Sequence, residues 1–518
     1  GMAMAGNVNI ISKSGTNAFH GSGFWGYQNG EWNSPDFITG RTAPGTYNTY
    51  GGSLGGPIMK NKLFFFGAFE AYDDNRDEPN AGNVPSRQIR DMATAANPPT
   101  QAFWDLYPLP TGAEAPGATQ ARFEGTFART AEDKHFIGRL DYNLSANDLV
   151  TVRFSRGRPK FLDPSLAIGN SRDRRGTVDN FAATYTRVFG SNVTSEFRLG
   201  YNKNRTERID LMWENQVIGV DLVGTPSTAG EGFIKYGTAG SFENTWSWIH
   251  GRHSFKFGGL YRFWRGSRFN EETPNYSFSS FADLAANRAD RAEYQFALQD
   301  FQIRSFDAGF FVQDDIRLSD NFMLNPGLRW DYSGVPTERD GRYYNRVGPF
   351  GGADGANPGV VQYRDPDSVY EPFYGMISPR LGFAWTANPE TVVRGGAGIF
   401  YQPFNLFSGP VEIVQNSLGE PVEFIATGEQ LAQLGIAYPD PSSVVRPLVS
   451  GSCDLTNFTC PQNQLFITDS SLDINRKNPY SLQWTIGVSR RLTETLAFDI
   501  GYVGNKGQRL TFSPENNR

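Results

Sequence analysis

The chain offers few of the side chains that usually do chemistry, and they are scattered. It contains four histidines and two cysteines among 518 residues. His250 and His253 flank a predicted turn, but two histidines alone do not complete a metal site. Cys453 and Cys460 lie in a segment with too few further ligands for a metal. Their spacing favours a disulfide that closes a small loop in an oxidising compartment.

Three other segments match ligand-binding motifs only in part. Residues 12–15 have the residue types of a phosphate loop, but they lack its GxxxxGK(S/T) spacing and a following helix. The acidic segment 73–78 could bind calcium, although without the twelve-residue loop spacing a solvated acidic rim is favoured. Arg172, Arg174 and Arg175 form a basic cluster, either solvated or in contact with anionic lipopolysaccharide or an acidic ligand. No catalytic constellation emerges, so we predict that the chain is not an enzyme.

The composition is typical of a large β protein. The chain has 57 Gly, 41 Phe, 22 Tyr and 10 Trp, and its mean hydropathy is −0.46. No stretch approaches the roughly 18–20 consecutive apolar residues of a membrane helix, which excludes a helical membrane protein. A net charge of −6 argues against nucleic acid as a partner. Residues 1–4 lack the features of a signal peptide, so the chain is either cytoplasmic or without its beginning.

Apolar and polar residues alternate with a period of two in segments of about 8–12 residues, which predicts strands. In one segment Phe255, Phe257 and Tyr261 alternate with Lys256 and Arg262. We expect the residues of the apolar face to point out of the sheet: Phe255, Phe257, Tyr261, Leu324, Leu328, Trp330, Leu482, Trp484 and Ile486. On the polar face we expect the following residues to line a lumen: Arg139, Asp141, Arg153, Glu196, Arg198, Lys256, Arg262, Arg329, Asp331 and Gln483.

Short turns alternate strictly with long connections along the chain. The turns are predicted at residues 60–62, 145–148, 190–192, 250–252, 319–321, 387–390 and 492–495. The long connections are predicted at residues 73–133, 156–179, 203–241, 264–305, 333–378 and 402–479. A soluble sandwich has no reason to place every long loop at one end, whereas an outer-membrane barrel does. We therefore predict an all-β fold, an antiparallel transmembrane β-barrel with long extracellular loops.

Two further expectations follow, one from the long connections and one from the number of strands. Residues 73–133 and 402–479 have many prolines and no periodicity, so we expect exposed loops without a core of their own. The pattern contains about 15 strands, whereas bacterial single-chain barrels have an even number. We therefore expect that both ends of the parent protein are missing from the chain.

Three segments carry a family resemblance. Residues 7–22, NVNIISKSGTNAFHGS, resemble the junction between plug and barrel in TonB-dependent outer-membrane receptors of the Oar-like branch. Residues 50–58, YGGSLGGPI, followed by KLFFFG at 62–67, resemble the first barrel hairpin of that branch. NPYSLQW at 478–484, with GYVG at 501–504, resembles a later hairpin.

The resemblance implies the architecture of the parent protein. It would have a signal peptide, a carboxypeptidase-regulatory-like domain, a TonB-contacting segment, a plug and a barrel of about 22 strands. Residues 1–15 would be the C-terminal remnant of the plug. Residues 16–518 would be the barrel domain in the bacterial outer membrane, with about 15 strands and the C-terminal ones missing.

The resemblance also implies a function and partners. The parent would import a large or scarce ligand through a plugged barrel, energised by the TonB-ExbB-ExbD complex and recognising an unknown extracellular ligand. Its other partners would be outer-membrane lipid and lipopolysaccharide. We expect no nucleic acid, because of the net charge, and no cofactor. A non-transporting structural or adhesion protein of the same fold is the alternative. A secreted hydrolase is a third class, for which nothing in the chain selects a pair of carboxylates.

Overall fold

One antiparallel sheet organises the chain. The computed structural model describes residues 11–37, 40–166, 171–222, 225, 230–295, 302–341, 345–348, 360–364, 369–402, 423–440, 459–461 and 472–510. Apart from the short side strands Lys160–Asp163 and Thr337–Glu338, the 17-stranded sheet is a meander. Its strands are β1 His20–Asn29, β2 Gly45–Met59, β3 Leu63–Arg76, β4 Thr130–Ser145, β5 Asp148–Gly157, β6 Arg172–Phe189, β7 Val193–Asp210, β8 Glu231–His250, β9 His253–Glu272, β10 Gln302–Ser319, β11 Phe322–Ser333, β12 Met376–Asn388, β13 Thr391–Tyr401, β14 Tyr480–Arg491 and β15 Ala497–Gln508.

Each strand of the meander pairs antiparallel with the next one along the chain. All seven predicted turns therefore lie at one end of the sheet, as expected, and we call it the turn end. Asn61, Gly190 and Gly251 adopt positive φ values of 60°, 64° and 58° at three of these turns. The opposite end, the loop end, carries the long connections. In the described part of the chain, β1 and β15 each pair with a single neighbour.

The strands are longer at the loop end than the sequence pattern predicts. β6 begins at Arg172 and β7 ends at Asp210, although alternation indicated strands only from 181 and to 202. Backbone pairing continues through these residues while the apolar alternation stops. Arg175 pairs there with Asp173 at 2.5 Å. A strand that extends beyond hydrocarbon needs no apolar face, so the apolar pattern marks only part of each strand.

The sheet exposes its apolar face and buries its polar face, the reverse of a sheet in a soluble protein. On β11, the apolar side chain of Leu328 is 50% exposed while Asp331 is 2% exposed. The same contrast holds across the sheet, where Phe310 and Ile377 are exposed and Asp307 is buried. We call the face with Leu328 the apolar face and the face with Asp331 the polar face. A soluble sheet buries its apolar face, so this pattern fits a sheet whose apolar face meets lipid.

The long connections fold into a second structure, the loop layer, contrary to the expectation of exposed loops without a core. The strands Glu78–Pro85 and Gln120–Phe127 form a two-stranded antiparallel sheet, and Gly219–Leu222, Asn275–Phe278, Arg291–Gln295 and Glu423–Thr427 form a four-stranded sheet. The helices of the connections are Arg87–Ala96, Gln101–Trp104, Leu211–Glu214, Phe281–Ala285 and Gly428–Leu434, and Pro98–Thr100 is a 3-10 turn. None of the helices in the described part is long and apolar enough to cross a membrane.

The loop layer contains the largest hydrophobic core of the described residues. Four separate connections contribute to it, for example through Trp104, Met212, Tyr294 and Leu431, which are all buried. Each connection alone has too few apolar side chains to bury, and only their convergence removes these side chains from water. Residues 73–133 and 402–479 are therefore partly packed structure, because their short apolar runs meet runs from other connections.

The remaining elements are small. Gly30–Trp32 is a 3-10 turn between β1 and β2. Arg346–Gly348, Val360–Tyr363 and Thr459–Pro461 form a three-stranded sheet beside the loop end.

Candidate functional site

Buried ion pairs on the polar face are the main candidate functional feature. Arg139 Nη2 lies 2.8 Å from Asp141 Oδ1 on β4, and Arg329 Nη2 lies 2.6 Å from Asp331 Oδ1 on β11. Glu196 and Arg198 form a third pair with the same spacing on β7, but Arg198 is exposed. Residues i and i+2 share one face of a strand, which is why Arg-x-Asp and Glu-x-Arg spacing produces these pairs.

The pair on β4 belongs to a larger network. Arg139 donates from Nη1 to the carbonyl oxygen of Ser12 at 2.8 Å, and Thr151 donates from Oγ1 to Asp141 Oδ1 at 2.8 Å. Arg153 is the direct cross-strand neighbour of Arg139 on β5. The network ties the segment before β1 to the polar face.

A second polar cluster surrounds Asp307 on β10. The carboxylate accepts hydrogen bonds from Trp264 Nε1 at 2.6 Å and from Ser333 Oγ at 2.8 Å. Arg262 is its direct cross-strand neighbour on β9 and lies over the Trp264 ring at 5.2 Å. This buried carboxylate was not among the ten predicted lumen residues, although the alternation along β10 places it on the polar face, directly opposite Arg262.

The other predicted lumen residues occupy the same face without joining either cluster. Lys256 is exposed and pairs in register with Gln313, and Gln483 donates to Ser481 Oγ at 3.4 Å. The ten predicted residues are spread over strands from β4 to β14, so they form a wall and not one compact site. No group of three His, Cys, Asp or Glu side chains among the described residues could hold a metal ion.

Two aromatic belts lie on the apolar face. Near the loop end the Tyr261 ring stacks on Phe306 at 5.7 Å, and the Phe306 ring contacts Tyr332 at 5.7 Å. Near the turn end Trp248 stacks on Phe255 at 5.5 Å, and similar pairs occur at Phe189–Trp246 and Phe322–Phe383. On β11 about ten residues separate the belts, or roughly 24 Å along the barrel axis at a 45° tilt. Outer-membrane barrels have aromatic girdles at about this separation.

The segment before β1 lies against the first hairpin. Asn17 Oδ1 accepts a hydrogen bond from the backbone N–H of Asn61 in the turn at 2.7 Å. A Cβ at Gly56 would lie 2.3 Å from the Phe19 ring, and one at Gly15 would lie 2.6 Å from the Gly56 carbonyl oxygen. These glycines are needed because the segment approaches the strand backbone closely.

The remaining sequence candidates have ordinary partners. Asp74, from the candidate calcium segment, pairs with Arg76 at 2.7 Å and Arg129 at 3.0 Å. Within the basic cluster, Arg174 pairs with Asp163 at 3.3 Å. His253 Nδ1 lies 2.6 Å from Asp314 Oδ2 in the aromatic belt of the turn end.

The predicted disulfide falls largely outside the described part of the chain. Cys453 is not among the described residues, and Cys460 is described only through its backbone pairing with Val361. The disulfide therefore stays a prediction.

Buried tyrosines hold the loop layer together. Tyr276 and Tyr294 pair through their hydroxyls, and the Tyr276 ring packs edge-on against Tyr438 at 5.5 Å. Burial raises the pKa of all three phenols well above the ordinary value of 10.0. Arg90 donates to four backbone carbonyls, and its burial lowers its pKa. The contact of Tyr276 with Tyr438 joins two connections, whereas the hydrogen bonds of Arg90 stabilise residues 77–129 from within.

The fold and the two faces together define an outer-membrane β-barrel protein. The family model described as outer membrane beta barrel domain matches residues 11–518, and the chain belongs to this family. The predicted fold class and the location in the outer membrane are thereby confirmed.

Individual relatives match this chain over limited parts of their own length. The chain is 35% identical to the TonB-dependent transporter Oar of Myxococcus xanthus over 77 residues, which cover 13% of this chain and 7% of that relative. The outer membrane transporter YddB from Escherichia coli matches with a TM-score of 0.51 at 11% identity, over 95% of this chain and 52% of that one. The siderophore receptor PirA from Acinetobacter baumannii matches with a TM-score of 0.48 at 13% identity, over 96% and 54% of the two chains. The chain thus spans about half the length of these solved structures.

Proposed function

We propose that this chain is the barrel part of a transporter that imports a large or scarce ligand across the outer membrane. The observation that carries the proposal is the polar face, where Arg139–Asp141 and Arg329–Asp331 are buried ion pairs. Paired charges give a hydrophilic wall with little net charge, which suits passage of a polar solute through a lumen. We propose that the ten predicted polar residues line that lumen.

The energy for transport comes, in this proposal, from the TonB-ExbB-ExbD complex acting through a plug. The similarity to the TonB-dependent transporter Oar supports the assignment. We propose that residues 1–15 are the end of the plug and that residues 16–518 are the barrel. The contact of Ser12 with Arg139 on the polar face supports a position of residues 1–15 within the lumen of the barrel.

The loop layer faces the outside in this proposal, because outer-membrane barrels have short periplasmic turns and long external loops. Ligand recognition would then involve the loop layer, whose four connections share one core. Tyr276, Tyr294 and Tyr438 fix that core, so the layer acts as one unit.

Uptake by cells that express the full-length protein tests the proposal. A panel of radiolabelled ferric chelates and fluorescent oligosaccharides and peptides is compared in cells with and without TonB. We expect TonB-dependent accumulation of one probe and its loss in a variant lacking the plug. Surface display without accumulation of any probe, or accumulation independent of TonB, would favour the alternative of a structural or adhesion protein. The packed loop layer is the feature that such an adhesive role would use.

A further inference from the structure

A basic cleft lies at the loop end of the apolar face. Its volume is about 560 Å³, and its lining includes Arg265, Arg304 and Arg339 with Tyr236 and Gln302. Among the described residues that line it there is neither Asp nor Glu. All three arginines are exposed, so the cleft is open and positively charged.

The cleft lies just beyond the aromatic belt near the loop end. Arg265 follows Tyr261 by four residues on β9, and Arg304 precedes Phe306 by two residues on β10. Both steps are even, so the arginines share the apolar face with the stacked rings of the belt. At about 3.4 Å per residue, they lie roughly 7–14 Å further towards the loop end along the strands. This is the depth of lipid headgroups if the belt marks the membrane interface.

The charge of the cleft is not balanced by its own strands. Arg265 and Arg304 are direct cross-strand partners, and like charges in that position are destabilising. The residues two positions from Arg265 are Phe263 and Ser267, so it lacks the Arg-x-Asp arrangement found at Arg329.

The other contacts of the cleft leave this charge in place. Arg304 Nε donates to Thr337 Oγ1 at 3.4 Å, a neutral partner. Arg339 Nη2 lies 2.8 Å from Asp340 Oδ2, so one of the three positive charges has a carboxylate neighbour. A bound anion would relieve the repulsion between Arg265 and Arg304.

We propose that this cleft binds the phosphate group of an anionic glycolipid in the outer leaflet. Guanidinium groups bind phosphate oxygens in a bidentate manner, and two facing arginines provide two such forks. The acyl chains of the lipid would continue along the apolar face past Tyr261 and Phe306. This continuity selects a lipid over free phosphate. The inference rests on the membrane orientation proposed above.

Lipid binding to the purified full-length protein in phosphatidylcholine nanodiscs tests the inference. Native mass spectrometry compares diphosphorylated lipid A with its dephosphorylated form. We expect the diphosphorylated form to bind about tenfold more tightly, and the Arg265→Ala/Arg304→Ala variant to lose about tenfold in affinity. The matched control is Arg394→Ala/Arg490→Ala, which removes two exposed charges far from the cleft and should bind as the wild type does.

Three outcomes would overturn the inference. They are equal binding of the two lipid forms, an unchanged affinity in the Arg265→Ala/Arg304→Ala variant, and displacement of the lipid by inorganic phosphate at equal concentration. The comparison of the two lipid forms uses only the wild-type protein, so it stands even if the variant does not fold. Barrel assembly, measured by heat-modifiable migration in gel electrophoresis, is read separately. Normal assembly without lipid preference would reject the cleft while leaving the transport proposal intact.

Discussion

Arg329 and Asp331 form an ion pair of 2.6 Å on β11, and their side chains are only 11% and 3% exposed. Leu328, beside them in sequence, is 50% exposed on the other face of the same strand. Burial of a charge requires a partner, and a continuous face of exposed apolar side chains such as Phe310, Leu328 and Ile377 indicates a solvent other than water. We infer from this contrast that the strand separates a polar lumen from lipid, and the predictions below test it.

Asp331→Asn should destabilise the barrel by about 1–3 kcal/mol, because it leaves the guanidinium of Arg329 buried without its counter-charge. The measurement is guanidinium-induced unfolding in lipid vesicles, followed by tryptophan fluorescence. Asp340→Asn is the matched control, since its pair with Arg339 has side chains 41% and 45% exposed. Equal unfolding midpoints for both variants would argue against a structural role of the buried pair.

Phe103→Ala should loosen the loop layer as a whole. Phe103 is fully buried and packs edge-on against Trp104 at 5.0 Å and Tyr107 at 5.5 Å. Loss of a buried Phe side chain costs about 3–5 kcal/mol. Limited proteolysis should show faster cleavage in several connections at once, while the barrel stays resistant. Phe37→Ala, at a fully exposed position, is the control. Faster cleavage confined to residues 77–129 would contradict a shared core.

The topology could be predicted from the sequence because it depends on local patterns. Alternation of Phe255 and Phe257 with Lys256 sets both the strand and its faces, and short turns fix the pairing of neighbours. The loop layer could not be predicted in this way. Tyr276 and Tyr438 are far apart in sequence, and their contact has no local periodic signal.

Some signals of the loop layer were nonetheless present in the sequence. Ser86 caps the helix Arg87–Ala96, and Ser280 caps the helix Phe281–Ala285, each through its side-chain oxygen. Such caps predict ordered helices within a connection. They do not predict which connections meet, since that depends on contacts between segments distant in sequence.

Alkaline pH should destabilise the loop layer before it affects the barrel. Burial raises the pKa of Tyr276, Tyr294 and Tyr438 above the ordinary value of 10.0. Above pH of about 10 the unfolded layer therefore loses these protons while the folded layer keeps them, and unfolding is favoured. The stabilisation is fully present below pH 10 and declines as the pH rises further. Proteolysis of the connections between pH 9 and 12 measures this.

Replacement of the phenols provides the control for the pH effect. Tyr294→Phe removes one buried titrating group while keeping the ring. The rise in cleavage rate above pH of about 10 should be smaller in this variant than in the wild type. The same pH dependence in both proteins would contradict the assignment to this cluster.

Cys453 and Cys460 should form a disulfide in the connection between β13 and β14. The ring would contain about eight residues, and the chain-entropy model gives roughly 2–3 kcal/mol of stabilisation for a loop of this size. Mass spectrometry of the non-reduced protein after alkylation measures it. We expect no alkylation before reduction and two modified cysteines afterwards. Free thiols at both positions in protein from the outer membrane would disprove the pairing.

The orientation of the two faces towards lipid and lumen is tested most directly by one pair of substitutions. Leu328→Arg places a charge on the apolar face, where an arginine at mid-depth costs about 2–4 kcal/mol, whereas Gln483→Arg places the same charge on the polar face. Barrel assembly is measured as the heat-modifiable fraction of protein inserted in the outer membrane. We predict a clear loss for Leu328→Arg and wild-type assembly for Gln483→Arg. Equal yields, or a loss only for Gln483→Arg, would contradict a lipid-facing apolar face and a polar lumen.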